Sequence, residues 1–276
     1  MNSILGKAFV PRPYQRYAIK RIIDTPAVAL LLDMGMGNAI STLTAISELM
    51  YDRFEVRRVL VIAPLRVALS TWRDECDLWA HTRGLRLSVA VGSAREREAS
   101  LSKDADVYVI NRENVKWLVE RYRKDWPFDM VVIDESSSFK DPVSQRFKAL
   151  RKVRPLIDRI VLLTGTPAPN GLMDLWSQFY LLDRGERLEH TLTEYRDRYF
   201  VPGQRSGHIV YNYNLRPGAD KQIYERINDI CVSMKSDDYL SLPPLMQNVV
   251  TVTLPESAMR KYTEMERELV LSIGAS

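Results

Sequence analysis

The distribution of apolar residues predicts alternating strands and helices over much of the chain. Short, nearly unbroken apolar runs are typical of strands buried on both faces of a sheet. They occur at residues 27–32, 59–63, 87–90, 107–110, 130–133 and 160–163. Segments with the helical spacing of apolar residues lie between them, including 69–79, 117–123 and 145–153. This alternation favours an α/β fold with a parallel sheet covered by helices on both faces.

A glycine-rich turn follows the first predicted strand. It contains Gly35 and Gly37, and apolar residues with helical spacing begin at Ile40. A strand, a glycine loop and a helix in this order direct backbone N–H groups toward an anion, as in a phosphate-binding loop. A complete loop of this kind continues with Lys and then Ser or Thr, which contact the terminal phosphates and Mg²⁺. Because Asn38 and Ala39 occupy those positions, we expect a cradle without its cation and its magnesium ligand.

Two further predicted strands end in polar residues. Asp134 and Glu135 follow the apolar run at 130–133, and a compact turn rich in hydroxyl groups, at 164–167, follows the run at 160–163. Open α/β sheets place their sites at the carboxyl ends of the strands. In P-loop enzymes one acid holds Mg²⁺, and a second group positions the attacking water. These segments therefore predict a nucleotide site.

These segments and several others resemble, in order, the motifs of one family. They are RPYQ at 12–15, DMGMGNAIST at 33–42, VLVIAPLRVALSTW at 59–72, VYVINREN at 107–114, IDES at 133–136, LLTGTP at 162–167 and NGLMDLWSQFYLLD at 170–183. The chain thus resembles the first RecA-like lobe of superfamily-2 helicase-like ATPases, specifically the short Snf-type translocases often encoded by phages. The resemblance covers residues 9–183 well and continues more weakly to residue 242.

The resemblance implies a RecA-like parallel sheet, the use of ATP and Mg²⁺, and a role for individual residues. The expected nucleotide contacts are Arg12, Gln15, Met34, Gly35, Met36, Gly37, Asn38 and Ala39. The expected catalytic pair is Asp134 and Glu135, with Asp134 directed at Mg²⁺ of a bound nucleotide. The turn that couples the nucleotide site to the nucleic acid is Thr164, Gly165 and Thr166. The residues expected to face duplex DNA are Arg66, Asn111, Arg112, Lys140, Arg146 and Lys148.

A dense basic run follows the predicted acid pair. It extends from Lys140 to Arg154, and Asp141 is the acid within it, in a chain whose net charge is +4. Such a run is consistent with a solvated helix face or with binding of a nucleic acid or an acidic partner. Asp141 and Pro142 predict the N-cap and the first position of the helix at 145–153.

An aromatic and arginine-rich stretch at 191–220 interrupts the alternation of strands and helices. Its aromatic residues are Tyr195, Tyr199, Phe200, Tyr211 and Tyr213. Interleaved aromatics and arginines can bind single-stranded nucleic acid. An irregular insertion held in place by its own aromatic side chains is the interpretation that we favour.

Several classes of protein are not supported by the composition. No window approaches the roughly 18 apolar residues of a membrane span. The N-terminus resembles no signal peptide. Cys76 and Cys231 lack the spacing of a disulfide framework or a metal site. We expect a cytoplasmic protein, in the bacterial host if the chain is encoded by a phage.

The expected organisation is a lobe at residues 1–242, with an insertion at about 184–222, and the start of a second lobe at 243–276. Alternation at 247–254 predicts a strand, and residues 257–271 predict a helix. A whole second lobe needs about 100 residues, so we expect it to be truncated here, without the family's arginine finger.

Three hypotheses of function remain open. The chain is a catalytically defective ATPase fragment or variant, a pseudo-ATPase that serves as a binding protein for DNA or a nucleic-acid enzyme, or a subunit completed by a second chain.

Overall fold

The computed structural model describes residues 6–206, 209–235, 237 and 255–268. The chain forms two compact units, Met1–Leu240 and Ser241–Ser276. The strands are β1 Ala27–Leu32, β2 Val59–Ala63, β3 Leu87–Ala90, β4 Val107–Asn111, β5 Met130–Asp134, β6 Arg159–Leu163, β7 Phe200–Pro202, β8 Arg205–Ser206, β9 Ile209–Val210, β10 Tyr213–Leu215 and β11 Cys231–Met234. The helices are α1 Pro13–Asp24, α2 Asn38–Ser47, α3 Trp72–Leu78, α4 Ala94–Leu101, α5 Val115–Tyr122, α6 Gln145–Val153, α7 Leu175–Asp183, α8 Leu192–Tyr199, α9 Ala219–Ile227 and, in the second unit, α10 Glu256–Glu268.

The main sheet of the first unit has seven strands in the order β11-β1-β6-β5-β2-β4-β3. Every neighbouring pair in it is parallel. All carboxyl ends therefore lie along one edge, and the loops that follow β1, β2, β4, β5 and β6 meet there. The prediction of a parallel α/β sheet is confirmed.

Both faces of the sheet are buried, as the unbroken apolar runs predicted. Leu60 and Ile62 of β2 belong to one apolar core, together with residues of α5, α6 and α7. Val59 and Val61 belong to a second core, together with residues of α1, α2 and α3. Because successive side chains of a strand face opposite sides, one apolar run supplies both cores.

The helices differ from the predictions in two places. The helix predicted at 69–79 consists of a π-helical turn, Val67–Thr71, followed by α3. The N-cap predicted at Asp141 is wrong, because Asp141 closes a tight turn by accepting a hydrogen bond from the Val143 N–H at 2.9 Å. The helix starts later, and the hydroxyl of Ser144 caps α6.

Strand β11 is an element that the apolar pattern did not predict. It is four residues long and pairs with β1 from Ala29↔Cys231 to Leu32↔Met234, which places it at the edge of the sheet. The strand predicted at 247–254 lies outside the described residues. The helix predicted at 257–271 is described as α10, Glu256–Glu268.

The aromatic stretch packs against itself and against the apolar core of the first unit. Tyr195, Tyr199 and Phe200 are buried, and the ring centroid of Tyr195 lies 5.2 Å from that of Tyr199. The hydroxyl of Tyr195 donates to the carbonyl of Leu172 at 2.8 Å. The aromatic rings therefore hold this stretch both to itself and to the rest of the first unit, and its interpretation as an insertion stays a prediction. Within the described part of the chain, no helix is long and apolar enough to cross a membrane.

Candidate functional site

The glycine loop between β1 and α2 has the backbone geometry of an anion cradle. Gly35 and Gly37 have φ angles of +82° and +81°, which favour glycine. A Cβ at position 37 would lie 2.5 Å from Nε2 of Gln15, so the Gln15 amide would have to move. Asn38 begins α2 directly after this loop, so the N-terminus of the helix faces the same region.

The predicted adenine-contacting segment lies against this loop. Nε2 of Gln15 donates to the carbonyl of Met36 at 3.2 Å, and the N–H of Arg12 donates to Oε1 of Gln15 at 2.9 Å. Met36 is fully buried, whereas Met34 is 86% exposed. The structure therefore brings Gln15 and the loop together, although 21 positions separate Gln15 from Met36.

The two substituted positions provide neither a charge nor a hydroxyl group. Nδ2 of Asn38 makes a long contact of 3.4 Å with the carbonyl of Leu32, and its buried Oδ1 has no partner among the described residues. Ala39 offers no oxygen, and the nearby hydroxyl of Thr42 donates to the carbonyl of Asn38 at 2.8 Å. An unpaired buried oxygen is costly, so this end of the cradle is incompletely satisfied.

The first acid at the end of β5 is held by an indole. Nε1 of Trp72 donates to Oδ2 of Asp134 at 2.9 Å. Burial raises the pKa of Asp134 to about 6, and the negative charge of Glu135 acts in the same direction, whereas the hydrogen bond from Trp72 lowers it. Glu135 has a φ of +55°, which is strained for a residue other than glycine.

Trp72 is a residue that sequence reasoning assigned to the core alone. It is fully buried, as expected, but its ring N–H also reaches the predicted catalytic acid. A buried tryptophan N–H normally has an acceptor. A tryptophan predicted to be buried therefore indicates that a hydrogen-bond acceptor lies nearby, but the sequence does not identify the accepting residue.

The predicted coupling turn packs against the glycine loop. A Cβ on Gly165 would lie 3.4 Å from the carbonyl of Leu32 and 3.5 Å from Cα of Asp33. Within the turn, the N–H of Thr166 donates to the hydroxyl of Thr164 at 3.1 Å. A side chain at position 165 would therefore contact the backbone that leads from β1 into the glycine loop, so the turn and the cradle are neighbours.

A buried glutamine on α7 joins the acidic loop to the coupling turn. The hydroxyl of Ser136 donates to Oε1 of Gln178 at 2.9 Å, and Nε2 of Gln178 donates to the carbonyl of Pro167 at 2.6 Å. Gln178 is 1% exposed. Sequence analysis did not single it out, although a lone amide in an apolar helix segment needs buried partners.

Three of the residues predicted to face DNA lie at the carboxyl edge of the sheet, namely Arg66, Asn111 and Arg112. Ala63 of β2 is paired with Asn111 of β4, so the loops that carry Arg66 and Arg112 are neighbours. Arg66 is exposed, and Nε of Arg112 contacts Glu113 at 3.1 Å. Asn111 is buried and donates to the same Glu113 at 2.9 Å, so its side chain has a structural partner.

The basic run has exposed and buried members. Nζ of Lys140 lies 3.5 Å from Asp174, Arg146 is half-buried and Lys148 is exposed on α6. Arg154 is buried, and its guanidinium donates to backbone carbonyls, including that of Ile157 at 2.7 Å. The run is therefore not a single surface, because Arg154 supports the fold.

Neither cysteine has the environment of a reactive thiol. Burial raises the pKa of Cys76 to about 11 and that of Cys231 to about 12. In the described residues, no cluster of His, Cys, Asp and Glu could hold a metal ion.

The site fits a phosphate group better than it fits magnesium. The glycine loop and the N-terminus of α2 present backbone donors to an anion. Magnesium needs oxygen ligands. Ala39 has no side-chain oxygen, whereas Asp134 accepts one hydrogen bond from Trp72 on Oδ2 and keeps Oδ1 for a ligand. The residues present thus match the anion part of the expected ligand through the whole loop and its metal through the acid pair alone.

The chain is similar to proteins of one family. The SNF2-related domain matches residues 17–276. Putative protein p41 of Acyrthosiphon pisum secondary endosymbiont phage 1 is 38% identical over 98% of this chain and 60% of its own length. The DNA excision repair protein ERCC-6-like of Mus musculus is 27% identical over 75% of this chain and 18% of its own length. The DNA repair and recombination protein RAD54-like of Danio rerio is 23% identical over 92% and 37%.

A solved structure shares the fold. The Sulfolobus solfataricus SWI2/SNF2 ATPase core in complex with dsDNA superposes with a TM-score of 0.69 at 24% identity, over 95% of this chain and 53% of that chain. The chain thus spans 60% or less of the length of these proteins. The extent of the domain match and the phage relative agree with the order of the motifs, and the chain belongs to the SNF2-related domain family.

Proposed function

We propose that this chain is the first lobe of a helicase-like, nucleic-acid-dependent ATPase of the SNF2 type, and that it binds nucleotide phosphates without hydrolysing ATP efficiently. The observation that carries the proposal is the glycine loop. Its backbone has the form of a phosphate cradle, while Asn38 and Ala39 stand where a cation and a hydroxyl group are needed. We further propose a lobe at 1–242, an insertion at about 184–222 and the start of a second lobe at 243–276.

Asn38 and Ala39 should lower the rate of ATP hydrolysis without disturbing the fold. Asn38 can donate a hydrogen bond but cannot neutralise the charge that develops on a transferred phosphoryl group. Losing one charge-stabilising donor costs roughly two orders of magnitude in rate or more. Magnesium, when bound to a nucleotide, would supply charge neutralisation. In this chain Asp134 and Glu135 are the residues available to orient it or a water molecule.

Duplex DNA is the proposed nucleic-acid partner. The neighbouring loops that carry Arg66 and Arg112, and the exposed side of α6 at Lys148, supply cations near the carboxyl edge of the sheet. The SWI2/SNF2 core that shares the fold was solved with dsDNA, which supports this choice. Contacts to the DNA backbone carry no sequence information. We therefore propose weak, non-specific binding, with Kd about 10⁻⁴–10⁻⁶ M.

A second candidate function is that of a pseudo-ATPase kept as a binding protein, which would engage a nucleic-acid enzyme or DNA. The presence of Asn38 and Ala39 in the glycine loop favours it, because a cradle without a cation and a hydroxyl group can hold a phosphate without supporting turnover. This candidate predicts that nucleotide binding has no effect on DNA binding. The ATPase-lobe proposal predicts that each ligand changes the affinity for the other.

Calorimetric titration of ATP tests the proposal, with and without Mg²⁺ and duplex DNA. The natural chain should bind ATP weakly and with little dependence on Mg²⁺. Asn38→Lys alone should tighten binding without Mg²⁺, and Ala39→Thr alone should make binding depend on Mg²⁺, so each single variant is the control for the other. Unchanged affinity in both variants would contradict the assignment of the cradle.

Hydrolysis is measured on the same proteins. The natural chain should show negligible turnover with or without DNA, and a DNA-stimulated rate near about one per second, which is ordinary for enzymes, would refute the proposal. The double variant Asn38→Lys/Ala39→Thr should gain affinity for ATP relative to the unaltered chain.

A further inference from the structure

A groove with a basic rim lies between the carboxyl ends of α5 and α6. α5 leads toward the start of β5, and α6 leads toward the start of β6. Because the sheet is parallel, both helices end at its amino edge, opposite the edge that carries the glycine loop. The cavity there has a volume of about 480 Å³, within the range of binding pockets. It is therefore separate from the proposed nucleotide and DNA sites.

The rim of this groove is positively charged. Arg123, Lys124 and Lys152 line it and are exposed, and Glu120 is the one acidic lining residue. Cations are favoured at helix carboxyl ends, which explains part of their presence. In the portion of the chain that the structure describes, however, none of these three cations forms an ion pair with an acidic side chain, although Nε of Arg123 donates to the carbonyl of Glu120 at 3.2 Å. The charges are available to a ligand.

The floor of the groove is apolar. Val119 and Val153 are buried beneath it, and Pro155 and Leu156 lie at its surface, with Leu156 44% exposed. A phosphate backbone gains nothing from such a floor. Bases bind by stacking on aromatic rings, and the lining residues include none. An acidic peptide with an apolar side chain matches both the rim and the floor.

We propose that this groove binds a short acidic segment of a partner protein, with one aliphatic or aromatic side chain of the segment seated against Leu156. Carboxylates of the segment pair with Lys124 and Lys152, and these ion pairs set most of the orientation of the segment in the groove. The apolar side chain removes Leu156 from water. The inference does not rest on the proposed ATPase function, because the groove shares no residue with the glycine loop or the loops after β2 and β4.

The test uses the full chain and a fluorescein-labelled peptide in which Asp and Glu surround a central Leu-Phe pair. Fluorescence anisotropy measures its affinity at low salt. Lys124→Glu/Lys152→Glu should weaken binding about tenfold or more, because two attractions become repulsions. Arg95→Glu is the control, since it reverses an exposed charge on α4 outside the groove, and it should change peptide affinity less than about twofold.

The apolar contact is tested separately. Leu156→Ser should weaken binding of the Leu-Phe peptide about three- to tenfold and leave a peptide with Ser-Ser in its place unchanged. Circular dichroism and the melting temperature show that each variant is folded. Absence of peptide binding at low salt, equal binding by all variants, or loss of duplex DNA binding instead of peptide binding in Lys124→Glu/Lys152→Glu would each overturn the inference. Duplex DNA binding should fall in Lys148→Glu, so the two proposals fail independently.

Discussion

Replacing Trp72 with Phe removes the indole N–H that donates to Asp134 at 2.9 Å, and it keeps an aromatic ring in a fully buried position. The substitution therefore separates a hydrogen bond from most of the packing. Hydrogen bonds to charged groups contribute about 1.5–3 kcal/mol. Part of this stabilisation remains when Asp134 is protonated, because a neutral carboxyl group still accepts a hydrogen bond.

The expected consequence is a change in the pH dependence of stability. The pKa of Asp134 is raised from 3.8 to about 6 in the folded protein. The folded state therefore holds this proton more tightly than the unfolded state, and stability falls as pH rises from about 4 to about 6. The loss of unfolding free energy caused by this carboxyl group is at most about 3 kcal/mol. It is smaller than that limit because Asp134 is partly exposed. Trp72→Phe should raise this pKa by roughly one further unit and extend the fall toward about pH 7.

Urea unfolding of both proteins in magnesium-free buffer measures this effect. The variant should lose about 1–2 kcal/mol more stability at about pH 8 than at about pH 5. Trp126→Phe is the matched control, because Trp126 is also buried and its indole N–H has no hydrogen-bond partner among the described residues. Its cost should be independent of pH.

A direct titration of the Asp134 carboxyl carbon by NMR provides a second readout. If Trp72→Phe and Trp126→Phe cost the same at both pH values, the hydrogen bond does not tune Asp134 and the reasoning is refuted. A carboxyl titration that is unchanged in Trp72→Phe leads to the same conclusion.

Three further predictions concern the loop, the DNA surface and a thiol. Gly35→Ala and Gly37→Ala should each lower the free energy of unfolding by about 1–2 kcal/mol, because both positions have a positive φ. Gly37→Ala should also weaken ATP binding, because its Cβ would lie 2.5 Å from a neighbouring side-chain amide, whereas a Cβ at Gly35 meets open space. Equal ATP affinities of the two variants in calorimetry would contradict this. Arg66→Glu/Arg112→Glu should lower the affinity for duplex DNA equally for all DNA sequences. It should also flatten the slope of log K against log salt by roughly 0.9 per lost contact, which titrations at several salt concentrations measure. A loss of affinity that depends on the DNA sequence would be inconsistent with backbone contacts. Cys76, whose pKa burial raises to about 11, should react with iodoacetamide only when the protein is unfolded, and rapid labelling of the native protein would show the contrary.

Local patterns were sufficient to predict the sheet strands that are buried on both faces. Such strands need continuous apolar residues, so runs such as Ala27–Leu32 and Val59–Ala63 are recognisable without their neighbours. Strand β11 is different, because Cys231–Met234 is short and contains a serine. Its assignment depends on hydrogen bonds to β1, which the sequence does not display.

Helix boundaries show a similar limit. Asp141 and Ser144 are both good N-cap residues, and the sequence alone favoured the first. The folded chain uses Ser144, since Asp141 is engaged in a turn with Val143. The choice between these two competing local hydrogen bonds is visible only in the folded chain.

The sequence by itself determined the order of the motifs that indicated the family and the presence of Asn38 and Ala39 in the glycine loop, because these are statements about residue types at fixed spacing. The tertiary structure decided which side chains meet. Trp72 reaches Asp134 across 62 positions, and Ser136 reaches Gln178 across 42. Packing also placed Arg154 inside the fold and left Lys152 at the groove. Such contacts follow from the stacking of helices on a shared sheet, and no local pattern records them.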